Sequence, residues 1–303
     1  MPASPALPHL PAAHALQALA VSADNAVLIS VLVAAPLILV ILWLADAIRP
    51  GSFSRQPGGS RDPQPVPAPV WLIAAIVTLL VGSTMQDLAG RTPTLAGHEA
   101  GSIRAMAAAA LTSGIASLAT GGTLIYLLLR AAPGAGLRPR WLDLPVGLSI
   151  FVICTPILLA TMIAAPFFYS LLTGHDIARS AVGHETLSEI LEARSDPWLI
   201  PLFVGLTVAA PIAEEIVFRL FLQTSILRLV RSSWIAVVCT STLFAAAHWT
   251  TTNGLPPLAV LPIQFVLGLC LGLAYERTKR PLVPIVMHGA FNASQITLAL
   301  LTR

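Results

Sequence analysis

Formal charge is what this sequence has least of. Only 10% of its 303 residues are Asp, Glu, Lys or Arg, and Lys279 is the single lysine. A net charge of +3 is too small to imply a nucleic-acid partner. Cysteine is scarce as well. Cys154, Cys239 and Cys270 all lie in apolar runs, where a thiol behaves as a small hydrophobe, so no disulfide framework is expected. The alternation of polar and apolar residues that a transmembrane barrel requires is missing. Residues 1–25 contain no Lys or Arg; they lack the positive start of a secretory signal peptide and read as a loose N-terminal tail.

Apolar residues are abundant, at 56% of the chain. A membrane span needs about 20 of them in succession, and the runs at 26–45, 70–85, 105–129, 146–172, 198–228, 234–251, 255–275 and 282–302 suit spanning helices. The expected fold is all-α: a polytopic transmembrane helical bundle of about eight spans, solvated by the lipid bilayer, in the cell membrane if the source is prokaryotic. The four spans within 26–173 carry no formal charge. Residues 50–69, rich in Gly, Ser and Pro, read as a flexible loop that cannot hold helix. Residues 174–197 suit either an amphipathic helix on the membrane surface or a solvated connector. Residues 198–303 form a core of four further spans. Basic residues gather in alternate loops: Arg49, Arg55 and Arg61; Arg130, Arg138 and Arg140; Arg228 and Arg231; Arg277, Lys279 and Arg280. Loops retained in the cytoplasm collect such residues, so both termini are expected outside.

Two acidic residues stand apart. Glu214 and Glu215 fall in the middle of the fifth span, Glu214 about 24 Å from one end and about 21 Å from the other. A charge at that depth costs at least about 2.5–3.5 kcal/mol and needs a protein partner or a wet cavity, which makes a functional site the default reading. Glu215 and Arg219 are four residues apart and can pair within the helix. Glu214 points about 100° away and is the better candidate for chemistry. Two histidines lie in apolar runs. His248 shares a helix face with Phe244, a candidate apolar wall, and His288 shares one with Asn292. Each imidazole alone suits packing; with the carboxylates they make a convergent polar cluster. Counting rise along each span puts His288 about 9 Å and His248 about 21 Å from the basic side, depths at which they should not meet. Gly268 and Gly272, four apart in the seventh span, favour close helix contact.

Glu214-Glu215-xxx-Arg219, Phe244-xxx-His248 and His288-xxx-Asn292, in this order in adjacent spans, resemble the three motifs of the CPBP family, the CAAX prenyl endopeptidase and bacteriocin-processing membrane proteases. The resemblance covers residues 198–303. It implies an intramembrane endopeptidase acting on a membrane-anchored, possibly prenylated CAAX, or hydrophobic peptide substrate. In that reading Glu214 activates water, His248 shares the proton, and His288 and Asn292 stabilise the oxyanion, with Glu215, Arg219 and Phe244 in support. No cofactor is required. Zinc on Glu214, His248 and His288 is left open, since two histidines and a carboxylate are a known ligand set.

Other hydrolase signatures are missing. His98-Glu99 and His184-Glu185 lack the second histidine of a zincin helix, there is no G-x-S-x-G elbow, and no aspartate lies within a span. Two rivals from other classes stand beside the protease: a proton- or cation-coupled transporter using the same polar residues, and a non-catalytic scaffold or immunity protein.

Overall fold

A computed structural model of the chain describes residues 11–92, 102–175, 196–249 and 255–301, and no strand occurs among them. The bundle is built from α1 (Pro11–Leu44), α2 (Ala68–Arg91), α3 (Ile103–Ala131), α4 (Asp143–Thr173), α5 (Leu199–Val230), α6 (Ser233–Ala247), α7 (Pro257–Thr278) and α8 (Leu282–Leu301). Six are long and apolar enough to cross a bilayer: α1 from Ala26 onward, α2, α3, α4, α5 and α7. The protein is an integral, multi-pass membrane protein. The two remaining helices fall short for different reasons. α6 has 15 residues, and α8, with 20, is interrupted by His288, Asn292 and Gln295. Large aliphatic side chains such as Val33, Leu37, Leu79, Ile115 and Val152 stand exposed, as lipid-facing residues should, because lipid tails are as apolar as they are.

α5 is the centre of the bundle, touching α2, α3, α6, α7 and α8, while α4 packs behind α7 and α8 and α1 lies on α4. Small residues make the closest approaches. A Cβ on Gly114 would collide with Ala209, one on Gly121 would lie 2.5 Å from Ile216, and one on Gly205 would lie 2.8 Å from Ala110. These pairs keep one constant offset, in steps of four and then seven residues, so α3 and α5 run parallel, as alternate spans must. Gly268 and Gly272 of α7 meet Ser241 and Val237 of α6 in the antiparallel sense, the close contact their spacing favours.

The four basic loops meet at one end. Arg277 donates to the carbonyls of Ala47 and Asp46, Lys279 to Gly58 (2.6 Å), Arg228 to Val66 (3.2 Å), and Arg280 to Asp143 (2.9 Å). Two expectations need correction here. The 50–69 segment is ordered: Ser52–Arg55 forms a helical turn, and Phe53 and Arg61 are buried. Arg61 is drawn in because its guanidinium pairs with the buried Glu276 at 2.6 Å and also donates to Ala135 O and Thr224 Oγ1, both at 2.8 Å. At the other correction, α1 begins at Pro11, inside the stretch read as a loose tail; no proline interrupts residues 12–35, and Ala and Leu dominate there. Of the proposed interfacial segment, residues 176–195 lie outside the described residues.

The packing sets the expected outcome of three substitutions. Gly114→Leu must push α5 away and should lower stability in detergent by about 1–3 kcal/mol. Gly122→Ala, whose Cβ meets nothing within 4 Å, should be neutral or gain up to about 1 kcal/mol from helix propensity, both read from thermal unfolding. Arg61→Met leaves Glu276 buried without its cation and should cost about 3–5 kcal/mol in the same assay.

Candidate active site

The site is built on an irregular stretch of α5. Residues Gly205–Ala209 are π-helical, with the Ala210 N–H reaching back to Gly205 O. The next bond in that register would come from residue 211, but Pro211 has no N–H. Leu206 O is therefore left over, and it accepts the Asn292 side-chain amide at 2.8 Å. The Thr207 carbonyl lies against Gly289, where any Cβ would collide with it. One proline thus lets α8 close onto α5 beside His288. A second π-helical stretch, Ile216–Gln223, follows the carboxylates.

Both carboxylates reach the same imidazole. Glu215 Oε1 accepts from His288 Nδ1 at 2.9 Å, and its other oxygen accepts from Arg219 Nε at 3.0 Å. Glu214 Oε2 faces His288 Nε2 at 3.9 Å and His248 Nε2 also at 3.9 Å. His248, the residue at which α6 ends, has its Nδ1 at 2.8 Å from Phe244 O. A carbonyl only accepts, so His248 carries its proton on Nδ1. His288 does likewise toward the Glu215 carboxylate. In their neutral forms both rings turn an unprotonated Nε2 toward Glu214.

Phe244 is the wall of the site. It is fully buried, its ring lies 4.7 Å from that of His248 and 5.7 Å from that of His288, and the Arg219 guanidinium stacks 5.0 Å from it. Glu215, Arg219 and His288 are buried, whereas the Glu214 side chain is 31% exposed with Oε2 itself shielded. One carboxylate is locked in place and its neighbour stays accessible.

The structure brings Glu214, Glu215, Arg219, Phe244, His248 and His288 together. It places Asn292 one turn beyond, with one amide hydrogen engaged by Leu206. The two histidines meet although counted depth says they should not. α6 begins beyond the span ends, its Trp234 packed on Phe53 at 5.5 Å and donating to Arg49 O, so depth counted from its first residue overstates how deep His248 lies. The description of Glu215 as Arg219's partner alone is incomplete, because it also orients His288. Pro211, three residues before Glu214, is the local signal that sequence reading passed over.

These distances do not suit a zinc ion. Zn–N and Zn–O bonds are about 2.0–2.2 Å, which brings ligand atoms to about 3.3–3.5 Å of one another in a tetrahedron; the 3.9 Å separations are too wide. No group of three metal-ligating side chains close enough to hold an ion occurs among the described residues.

Residues 196–294 match the family described as type II CAAX prenyl endopeptidase Rce1-like. A relative, the membrane-embedded CAAX protease MroQ of Staphylococcus aureus (strain USA300), is 30% identical over 108 residues, which make up 34% of this chain and 41% of that protein. The chain thus spans about two-fifths of the relative's length. No solved structure matches it. The family match falls on α5 to α8, the segment that carries the motifs and the site, and through this segment the chain is similar to the Rce1-like CAAX prenyl endopeptidases.

Proposed function

We propose that the protein is an intramembrane endopeptidase that hydrolyses membrane-anchored or hydrophobic peptides with water activated by Glu214. The observation that carries this reading is the convergence of His248 Nε2 and His288 Nε2 on one shielded oxygen of Glu214 that has no hydrogen-bond partner among the described residues. A separation of 3.9 Å exceeds a direct hydrogen bond and suits bridging by water. Glu214 Oε2 and His248 Nε2 accept the two hydrogens of that water and leave a lone pair free to attack a carbonyl. Glu214 removes one proton as the O–C bond forms, and that proton passes to the leaving amine as the C–N bond breaks. His248 shares it in transit. His288 donates to the oxyanion in its protonated form, the extra proton taken up from solvent before attack, with Glu215 holding the imidazolium. The free amide hydrogen of Asn292 is the second donor. The names of the family and of the relative point to prenylated CAAX proteins as one substrate class.

The mechanism needs no metal. Cleavage of a membrane-anchored reporter in proteoliposomes is expected to persist in a zinc chelator; loss that zinc alone restores would contradict it. Glu214→Gln keeps the shape and removes the base, so turnover should fall by about 10²–10⁴-fold with thermal unfolding unchanged. A folded Glu214→Gln variant that cleaves normally sinks the proposal, and ion flux without any peptide product favours a transporter instead.

A further inference from the structure

Beneath the site, toward the basic end, lies a second buried polar cluster that hydrolysis does not use. Glu276 Oε1 accepts from Arg61 at 2.6 Å and from Gln223 Nε2 at 2.8 Å, and Tyr275 stacks under the Arg61 guanidinium at 4.1 Å. Gln223 is four residues beyond Arg219, on the same side of α5. Between the two clusters stand polar atoms with no hydrogen-bond partner among the described residues: Arg219 Nη1 and Nη2, Thr240 Oγ1, Gln223 Oε1 and Glu276 Oε2, on residues that are all fully buried.

Their placement shows that they share one junction. Gln223 Oε1 faces Gly272, which also meets Val237 of α6. Phe244, two turns further along α6, carries the Arg219 guanidinium. Thr240 sits between Val237 and Phe244, three residues from one and four from the other, and so at a height between Gln223 and Arg219. Donors therefore stand at the upper edge, acceptors at the lower edge, and a hydroxyl between them.

Chemistry selects the occupant. Each cluster pairs one carboxylate with one guanidinium, Glu215 with Arg219 and Glu276 with Arg61, so the junction is balanced and attracts neither cation nor anion. An occupant must accept from Arg219 and donate to Gln223 and Glu276. Buried polar groups without protein partners are ordinarily satisfied by water, which does both. We propose that the junction of α5, α6 and α7 is a binding site for ordered water that joins the Glu215–Arg219 pair to the Gln223–Glu276–Arg61 cluster. The water holds Arg219, and through it Glu215 and His288, in position. The binding site stands whether or not the protein is a protease; only its effect on turnover rests on that reading.

Thr240→Val tests the site, because the two side chains share a shape. If the hydroxyl binds water, its loss strands that water and lowers the melting temperature by about 2–4 °C. If the hydroxyl is dry, removing an unpartnered buried polar group leaves the melting temperature unchanged or raises it, which overturns the proposal. Brief X-ray radiolysis of the wild-type protein in H₂¹⁸O gives a reading that needs no variant. Hydroxylation at Val237, which lies away from the active site, should exceed that at Leu267 and Leu271, which are equally buried; equal labelling overturns the proposal. Reporter cleavage by Thr240→Val should fall while Glu214→Gln leaves the radiolytic labelling intact, which separates failure of the water site from failure of the hydrolase reading.

Discussion

The fold depends on how a membrane protein keeps two adjacent carboxylates in its interior. Glu215 does it by dividing its oxygens, one to Arg219 and one to His288, so that a charge that lipid would reject becomes the fixed point of three side chains. With Glu215 engaged on both oxygens, the ring of His288 has one orientation and turns Nε2 to Glu214. The accessible carboxylate is then the one left to serve as base in the proposed hydrolysis, because its neighbour is fully occupied. Phe244 completes the arrangement by covering Arg219 and both imidazoles with one apolar face.

Precision at this point rests on close backbone contact. Gly114, Gly121 and Gly205 seat α3 on α5, Gly268 and Gly272 seat α6 on α7, and Gly289 admits the Thr207 carbonyl. Within lipid no hydrophobic force drives helices together, so small residues and polar contacts do the work. The Asn292 bond to Leu206 belongs to the same scheme. Pro211 frees a carbonyl in α5, and α8 supplies the amide that satisfies it. Non-helical hydrogen bonding at this depth is tolerated because protein, not lipid, surrounds it. The basic end adds a second anchor through Arg61 and Glu276, tying the segment between α1 and α2 to the four-helix unit α5 to α8.

Much of this was legible in the residues. The spans announced themselves by apolar length, and Glu214, His248 and His288 by being ionisable where ionisable groups are expensive. The Glu215–Arg219 pair followed from helical spacing alone. What escaped reading was long-range or irregular. Nothing local tells Arg61, in a segment of Gly, Ser and Pro, that Glu276 lies 215 residues away. The meeting of His248 with His288 depends on where α6 begins relative to the bundle, which rise per residue does not encode. The π-helical turn changes which carbonyls are free, and its trace in the sequence is one proline. The order of α1 ahead of Ala26 escaped because composition rich in Ala and Pro was weighed as a tail, although Ala is also the best helix former.

The central claim is that Glu214 and His248 act on one water as a unit. A double-substitution cycle on peptide cleavage tests it most directly, comparing Glu214→Gln, His248→Ala and the pair together. Groups serving one proton transfer lose nearly all their effect with the first removal, so the double variant should cleave about as slowly as Glu214→Gln alone. Losses that multiply, each substitution slowing the reaction by its own full factor in the presence of the other, would show that the two side chains act independently and would contradict the account.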